Sequence, residues 1–158
     1  MRSTQSVIIA AASGDVYPFV STLDQYPLWL PLVHGVERTA DADGETGPSW
    51  LVEIRARVGP FARSKRLRMT RTTHEDRSVA EFERAELDGR NHARWALRTE
   101  LRELTACADS GAASTEVTMH LSYDGSLWGG ALLERVLDEE IKRGREGLAA
   151  LVSDATTH

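Results

Sequence analysis

His34 follows Trp29, Leu30, Leu32 and Val33 in an apolar stretch, where an imidazole can act as acid, base or ligand donor, or be held by the backbone as a structural side chain. The other histidines, His74, His92, His120 and His158, add neither an H-E-x-x-H spacing nor a Cys/His cluster, so no metal is expected. Alternation puts His92 and His120 on the solvent side of their strands. Cys107 is the sole cysteine, which rules out an internal disulfide, and no basic residue lies closer than Arg102 to lower its pKa, so it reads as a bystander thiol. There is no G-x-S-x-G, no G-x-G-x-x-G and no phosphate loop: Gly129-Gly130 follows Trp128 without the loop lysine. Nucleotide and acyl-enzyme chemistry are disfavoured, and no cofactor is expected.

The charged residues are distributed unevenly. Arg55 to Arg71 holds seven basic residues and no acidic one, which suggests a surface for phosphate or an acidic partner. The next strand and its turns, Glu75 to Asp88, supply six acidic residues, and cross-strand pairing with these is expected to absorb most of the run. Arg71 stands apart because alternation sets it beside Leu67 and Met69 on the apolar side, where a guanidinium needs a carboxylate or a ligand anion; Glu83 is one candidate partner. Trp95 faces inward from mid-strand, and its indole N–H needs an acceptor if it is buried.

The elements that must hold these groups are legible from periodicity. Gln5–Ala11 is a short strand, and Ser13 is placed to cap a helix in which Val16, Phe19, Val20 and Leu23 recur at helical spacing. Tyr26-Pro27-Leu28-Trp29-Leu30-Pro31 permits a helical turn at most. Five strands over Val36–Asp41, Ser49–Val58, Arg63–Thr73, Ser78–Leu87 and Asn91–Arg102, and a last one over Glu116–Tyr123, follow as an antiparallel meander with one wet face. The segment from about 127 to 152 is a long amphipathic helix whose stripe carries Leu133, Leu137, Ile141, Gly144, Leu148 and Leu151, with Asp138–Lys142 and Glu139–Arg143 as supporting pairs. Gly144 on that stripe forgoes roughly 1 kcal/mol of helix propensity relative to alanine, which marks either a close helix–sheet contact or room for a ligand.

The 158 residues, 41% hydrophobic and 27% charged, suit one α+β domain spanning 1–158, in which the helix covers the sheet. A net charge of -5 argues against a nucleic-acid binder. The N-terminal apolar run, Val7 to Ala12, is too short for a signal peptide or a membrane span, and a reducing cytoplasm fits the lone thiol.

The opening strand with Ser13-Gly14-Asp15-Val16-Tyr17, the segment Asp24-Gln25-Tyr26-Pro27-Leu28-Trp29 leading to Val33-His34-Gly35-Val36-Glu37, and the long closing helix resemble the helix-grip superfamily. That superfamily includes START-like lipid-binding domains, pollen-allergen-like carriers and bacterial polyketide cyclase/dehydrase-like proteins. The Val58-Gly59-Pro60-Phe61 hairpin also resembles that of members associated with carbon-monoxide-dehydrogenase maturation. The resemblance implies a curved antiparallel sheet wrapped on the C-terminal helix, two short helices after the first strand, and an internal hydrophobic cavity. The inward sheet residues Trp50, Ile54, Met69, Trp95, Leu97, Met119 and Leu121 would line it. Leu133, Leu137, Ile141 and Gly144 would line it from the helix, with Trp29 near its mouth.

The leading expectation is a non-enzymatic binder or carrier of a small hydrophobic molecule, be it a lipid, a polyketide or an aromatic, acting as monomer or homodimer. The alternative implied by the resemblance is a polyketide cyclase/aromatase, in which Arg71, His34 or Tyr123 would orient and polarise a poly-carbonyl chain. A protein-interaction or maturation module working through the basic hairpin is the third.

Overall fold

The computed structural model describes residues 2–104, 113–124 and 131–156, with side chains at all of these but 58, 131–133 and 156. Cys107, Trp128, Gly129, Gly130, His158 and the Leu133 side chain therefore lie outside the described residues. The chain runs β1 (Arg2–Ile9), α1 (Ser13–Val20), a 3₁₀ turn (Leu23–Leu28), β2 (Val33–Thr39), β3 (Ser49–Val58), β4 (Phe61–Glu75), β5 (Val79–Arg84), β6 (Arg94–Leu104), β7 (Ser114–Asp124) and α2 (Ala131–Thr156). All seven strands form one antiparallel sheet in the order β1-β7-β6-β5-β4-β3-β2, so the α+β architecture expected from periodicity is the one observed. β2 to β7 form the meander, and β1 closes it by pairing with β7 from Arg2↔Ser122 to Ile9↔Thr115.

Alternation fixes which face is covered. β7 buries every second residue, Thr115, Val117, Met119, Leu121 and Tyr123, and register puts Trp95, Leu97, Thr99 and Leu101 of β6 opposite them. On the other face the strands are laced by ion pairs: Arg98 to Glu81 (2.8 Å) and Glu100 (3.2 Å), Arg94 to Glu83 (3.0 Å), and the His120 ring to Glu100 (2.9 Å). These pairs correct two expectations. Glu81 and Glu83 serve β6 and not the basic run on β4, and Arg71 instead donates from Nη1 to the Ser21 carbonyl at 2.8 Å. The reason is register: β5 pairs with β4 only from Met69↔Arg84 to Glu75↔Val79, so residues 61–68 extend past its end.

Helix details also differ from the sequence reading. Ser13 is the first residue of α1 and does not cap it through its own hydroxyl; the Glu103 carboxylate on β6 takes the Ser13 N–H at 3.0 Å. On α2, Asp138 accepts hydrogen bonds from Ser3 (2.6 Å) and Gln5 (3.3 Å) of β1 in place of pairing with Lys142, and Arg143 pairs with Glu140 in place of Glu139. With Arg145 donating to Gln5 and to the Ser6 carbonyl, these bonds tie α2 to the sheet edge. Glu140 is buried, and that burial raises its carboxyl pKa. No helix among the described residues is long and apolar enough to cross a membrane.

Candidate functional site

Two kinds of packing divide the inner face. Under α1 and the 3₁₀ turn lies an aromatic cluster in which Tyr26 meets Trp29 (4.6 Å between ring centroids) and Phe82 (5.6 Å), and Phe82 meets Trp50 (5.5 Å). The polar ends of these rings are all bonded: the Tyr26 hydroxyl donates to the Val20 carbonyl, the Trp29 indole to the Phe19 carbonyl at 2.9 Å, and the Trp50 indole to Asp24 at 3.2 Å. Trp29 and Trp50, expected as ligand contacts, thus have both indole N–H groups bonded within the protein, and neither ring belongs to the wall of the apolar cavity on this face.

The second kind of packing is incomplete. A cavity of about 20 Å³ lies between β3, β4, β6 and β7 and the two ends of the 3₁₀ turn, walled by Leu23, Leu32, Val33, Val52, Ile54, Met69, Trp95, Ala96, Leu97 and Leu121. Every wall residue is apolar. That space has room for about one water molecule, but a cavity without polar partners stays dry. Drug-sized ligands need several hundred Å³, so any such guest must part these walls. Charged residues that share this face include Lys65, across from Ile54, and Arg84, across from Met69. Burial lowers the Lys65 pKa, with the Arg84 charge adding to the effect.

Trp95 is the exception among the three described tryptophans. It is 2% exposed, leans on the Tyr123 ring at 4.6 Å, forms part of the cavity wall, and its indole N–H has no acceptor among the described residues. A buried donor left unpaired costs about 1–3 kcal/mol, so the Trp95 indole, buried beside the cavity, carries an unmet demand for an acceptor.

Five residues expected at the site, Ile54, Met69, Trp95, Leu97 and Leu121, come together in the wall. Met119, Leu137 and Ile141 are buried in the core without belonging to it. Gly144 does not indent the helix over the cavity: a Cβ there would stand 2.5 Å from Leu30 Cδ1 and 3.6 Å from the Trp29 ring, so the space is already filled by tight packing. His34 is exposed, because the bulge between Val33 and Gly35 turns the strand as it enters the sheet and leaves Val33 inside. Arg71 is half-buried on the Ser21 carbonyl, and Tyr123 stands behind Trp95. Leu23, Leu32, Val33, Val52 and Ala96 were not anticipated. Val52 was legible, since it alternates with Trp50 and Ile54; the others depend on how the 3₁₀ turn folds over the sheet.

A groove of about 360 Å³ also runs over β2, β3 and β4 past Glu37, Leu51, Glu53, Arg66 and Glu86. Its mixed charges and solvated floor make it a poorer receptor for an apolar guest than the smaller cavity. Among the described residues no three His, Cys, Asp or Glu side chains gather as a metal site.

None of the curated proteins matches this sequence. Among solved structures, a START superfamily protein from Mycobacterium smegmatis superposes with a TM-score of 0.66 at 14% identity, covering 98% of each chain. A protein from Thermus thermophilus gives 0.66 at 17% identity over 98% of this chain and 99% of its own. The Zhui aromatase/cyclase from Streptomyces sp. R1128 gives 0.60 at 13% identity over 97% and 93%. These likenesses fix the fold. The profile described as polyketide cyclase / dehydrase and lipid transport matches residues 1–153, and the chain therefore belongs to that family.

Proposed function

We propose that this protein binds a small, neutral, largely apolar molecule carrying a hydrogen-bond acceptor, held between the inner face of the sheet and the segment from Leu23 to Val33 that folds over it. The observation that carries this reading is the all-apolar cavity walled in part by the Trp95 ring, whose indole N–H is buried beside it with no acceptor among the described residues. Apolar walls reward the transfer of hydrocarbon from water, and one buried donor selects a guest that brings an oxygen. Ile54, Met69, Leu97 and Leu121 supply the apolar contact. Cyclase chemistry in the same cavity would need a polarising group in the wall, and His34 is exposed while Arg71 is held on the Ser21 carbonyl, so the carrier reading is preferred.

The test is fluorescence titration with two neutral probes of similar size, an aromatic ketone and the corresponding hydrocarbon. Both should bind saturably, the ketone more tightly, and Trp95→Phe should remove about fivefold of ketone affinity, the value of one net hydrogen bond, while sparing the hydrocarbon. Leu121→Phe, which fills the wall, should weaken both. Absence of saturable binding by the parent protein, or binding that neither substitution changes in a folded variant, would overturn the reading.

A further inference from the structure

The β3–β4 hairpin outruns the sheet. β2 begins at Val33, opposite Ile54, and β5 ends at Arg84, opposite Met69, so the four rungs from Arg55↔Ser64 to Val58↔Phe61 have no described strand on either side. At the apex, Gly59 has φ +64°, a conformation open to glycine that lets the chain reverse in two residues, and Phe61 is left 66% exposed. Behind the apex Arg55, Arg57, Arg63 and Arg66 are all exposed, and among the described residues none of them is in an ion pair. No acidic residue occurs between Glu53 and Glu75. The charge pairing expected for this run is therefore missing where the hairpin protrudes, in a chain whose net charge is -5.

We infer that the β3–β4 hairpin is a docking element for an anionic lipid surface, with Phe61 entering the apolar layer and Arg55, Arg57 and Arg63 meeting the headgroups. Spacing carries the choice of partner. At ~3.4 Å per residue, register puts Arg57 one rung behind Phe61, Arg63 two rungs and Arg55 three, hence ~3 to 10 Å behind the apex. That matches the ~5–10 Å by which apolar side chains sink beneath the headgroups of a bilayer. Arg55 and Arg57 lie on one face of the hairpin and Arg63, opposite Ala56, on the other, so the cations surround the tip. A nucleic acid or an acidic protein presents its charge outermost and would have to be met by leading cations; here the apolar side chain leads and the cations trail. The negative remainder of the molecule is repelled by such a surface, which favours an approach with this end forward. The inference is independent of what the cavity holds.

Co-sedimentation with vesicles tests it. The protein should partition onto an equimolar mixture of phosphatidylcholine and phosphatidylglycerol, lose that binding as salt is raised, and ignore pure phosphatidylcholine. Arg57→Gln and Arg63→Gln should each weaken partitioning about fivefold, and Phe61→Ser about tenfold. Lys142→Gln, which removes an exposed cation on α2, should leave it unchanged. Because the substituted side chains are exposed, thermal unfolding should match the parent, and any one variant that fails to fold leaves the other two to decide. Equal partitioning onto both vesicle types, or parent-like binding by folded hairpin variants, would overturn the inference. So would displacement by polyglutamate or duplex DNA with Phe61→Ser silent, which would make the partner a soluble polyanion.

Discussion

Gly147→Ala is expected to destabilise the fold by about 3 kcal/mol, although helix propensity alone would favour alanine by about 1 kcal/mol. The conflict is resolved by what the new methyl group meets. A Cβ at Gly147 would collide with the Trp29 carbonyl oxygen and stand 3.2 Å from its carbon, and a backbone carbonyl cannot rotate away as a side chain can. Relief requires α2 to lift off the Trp29–Leu30 segment, and lifting it loosens the aromatic cluster that Trp29 forms with Tyr26. Gly144→Ala should cost less, because its nearest contact is the end of the Leu30 side chain, which has rotamers available even though it is fully buried. Urea titration of the two variants gives the order directly, and thermal unfolding should show a shift of about 2–4 °C for each kcal/mol in a chain of this size. A Gly147→Ala protein more stable than its parent would show that α2 does not need this close approach.

The same pair of glycines shows where sequence reasoning stopped. Periodicity was enough to find seven strands, an antiparallel meander and a covering helix, though not the pairing of β1 with β7, because alternation and the 3.6-residue stripe are properties of single segments. It identified Gly144 as anomalous on an apolar stripe, but whether the gap faced a ligand or a neighbouring chain segment depended on where residues 29 and 30 came to rest. Five of the wall residues, Ile54, Met69, Trp95, Leu97 and Leu121, sit on strands whose inward face was readable. His34 drew attention through its apolar neighbours in sequence, but a bulge beside Val33 shifts the register by one residue and leaves it exposed. The basic hairpin was misread for a related reason: charge pairing was inferred from adjacency in sequence, and β5 is too short to reach it. Register and strand length are tertiary quantities, and both errors come from them.

The buried ion pair on the opposite side of the sheet was also invisible in the sequence, and it carries the second large effect. Arg68 was one of seven cations in a run, yet it is 5% exposed and grips Glu45 with both ends of its guanidinium, Nη2 to Oε1 at 2.6 Å and Nη1 to Oε2 at 2.8 Å, while also donating to the Ala40 and Ala85 carbonyls. Glu45 in turn accepts from Thr70 at 2.6 Å, from the Ala42 N–H at 2.8 Å and from Ser49 at 3.3 Å, so one carboxylate pins the loop between β2 and β3 onto the sheet. Gly47 allows that loop to lie close, since a Cβ there would be 2.5 Å from the Arg71 carbonyl. Arg68→Met should therefore cost about 3–5 kcal/mol at neutral pH, the usual penalty when one partner of a buried pair is removed and the other charge remains.

The pH dependence separates this cause from simple loss of packing. In the parent, the Arg68 guanidinium is the chief influence on the Glu45 carboxyl and holds it well below the ordinary 4.5. A depressed folded-state pKa contributes stability that is present above about pH 4.5 and is lost as the pH falls below it. Without Arg68 the carboxylate has burial against it and no cation for it, so its pKa should move up, and the variant should gain stability relative to the parent as the pH is lowered. Melting temperatures of parent and Arg68→Met measured from neutral pH into acid should converge. The double variant Arg68→Met/Glu45→Leu, with no charge left to bury, should recover much of the loss and be flatter in pH than either. If the gap between parent and Arg68→Met keeps its neutral-pH size in acid, the loss belongs to packing around the Arg68 stem, and Glu45 is held by its Thr70, Ser49 and Ala42 donors alone.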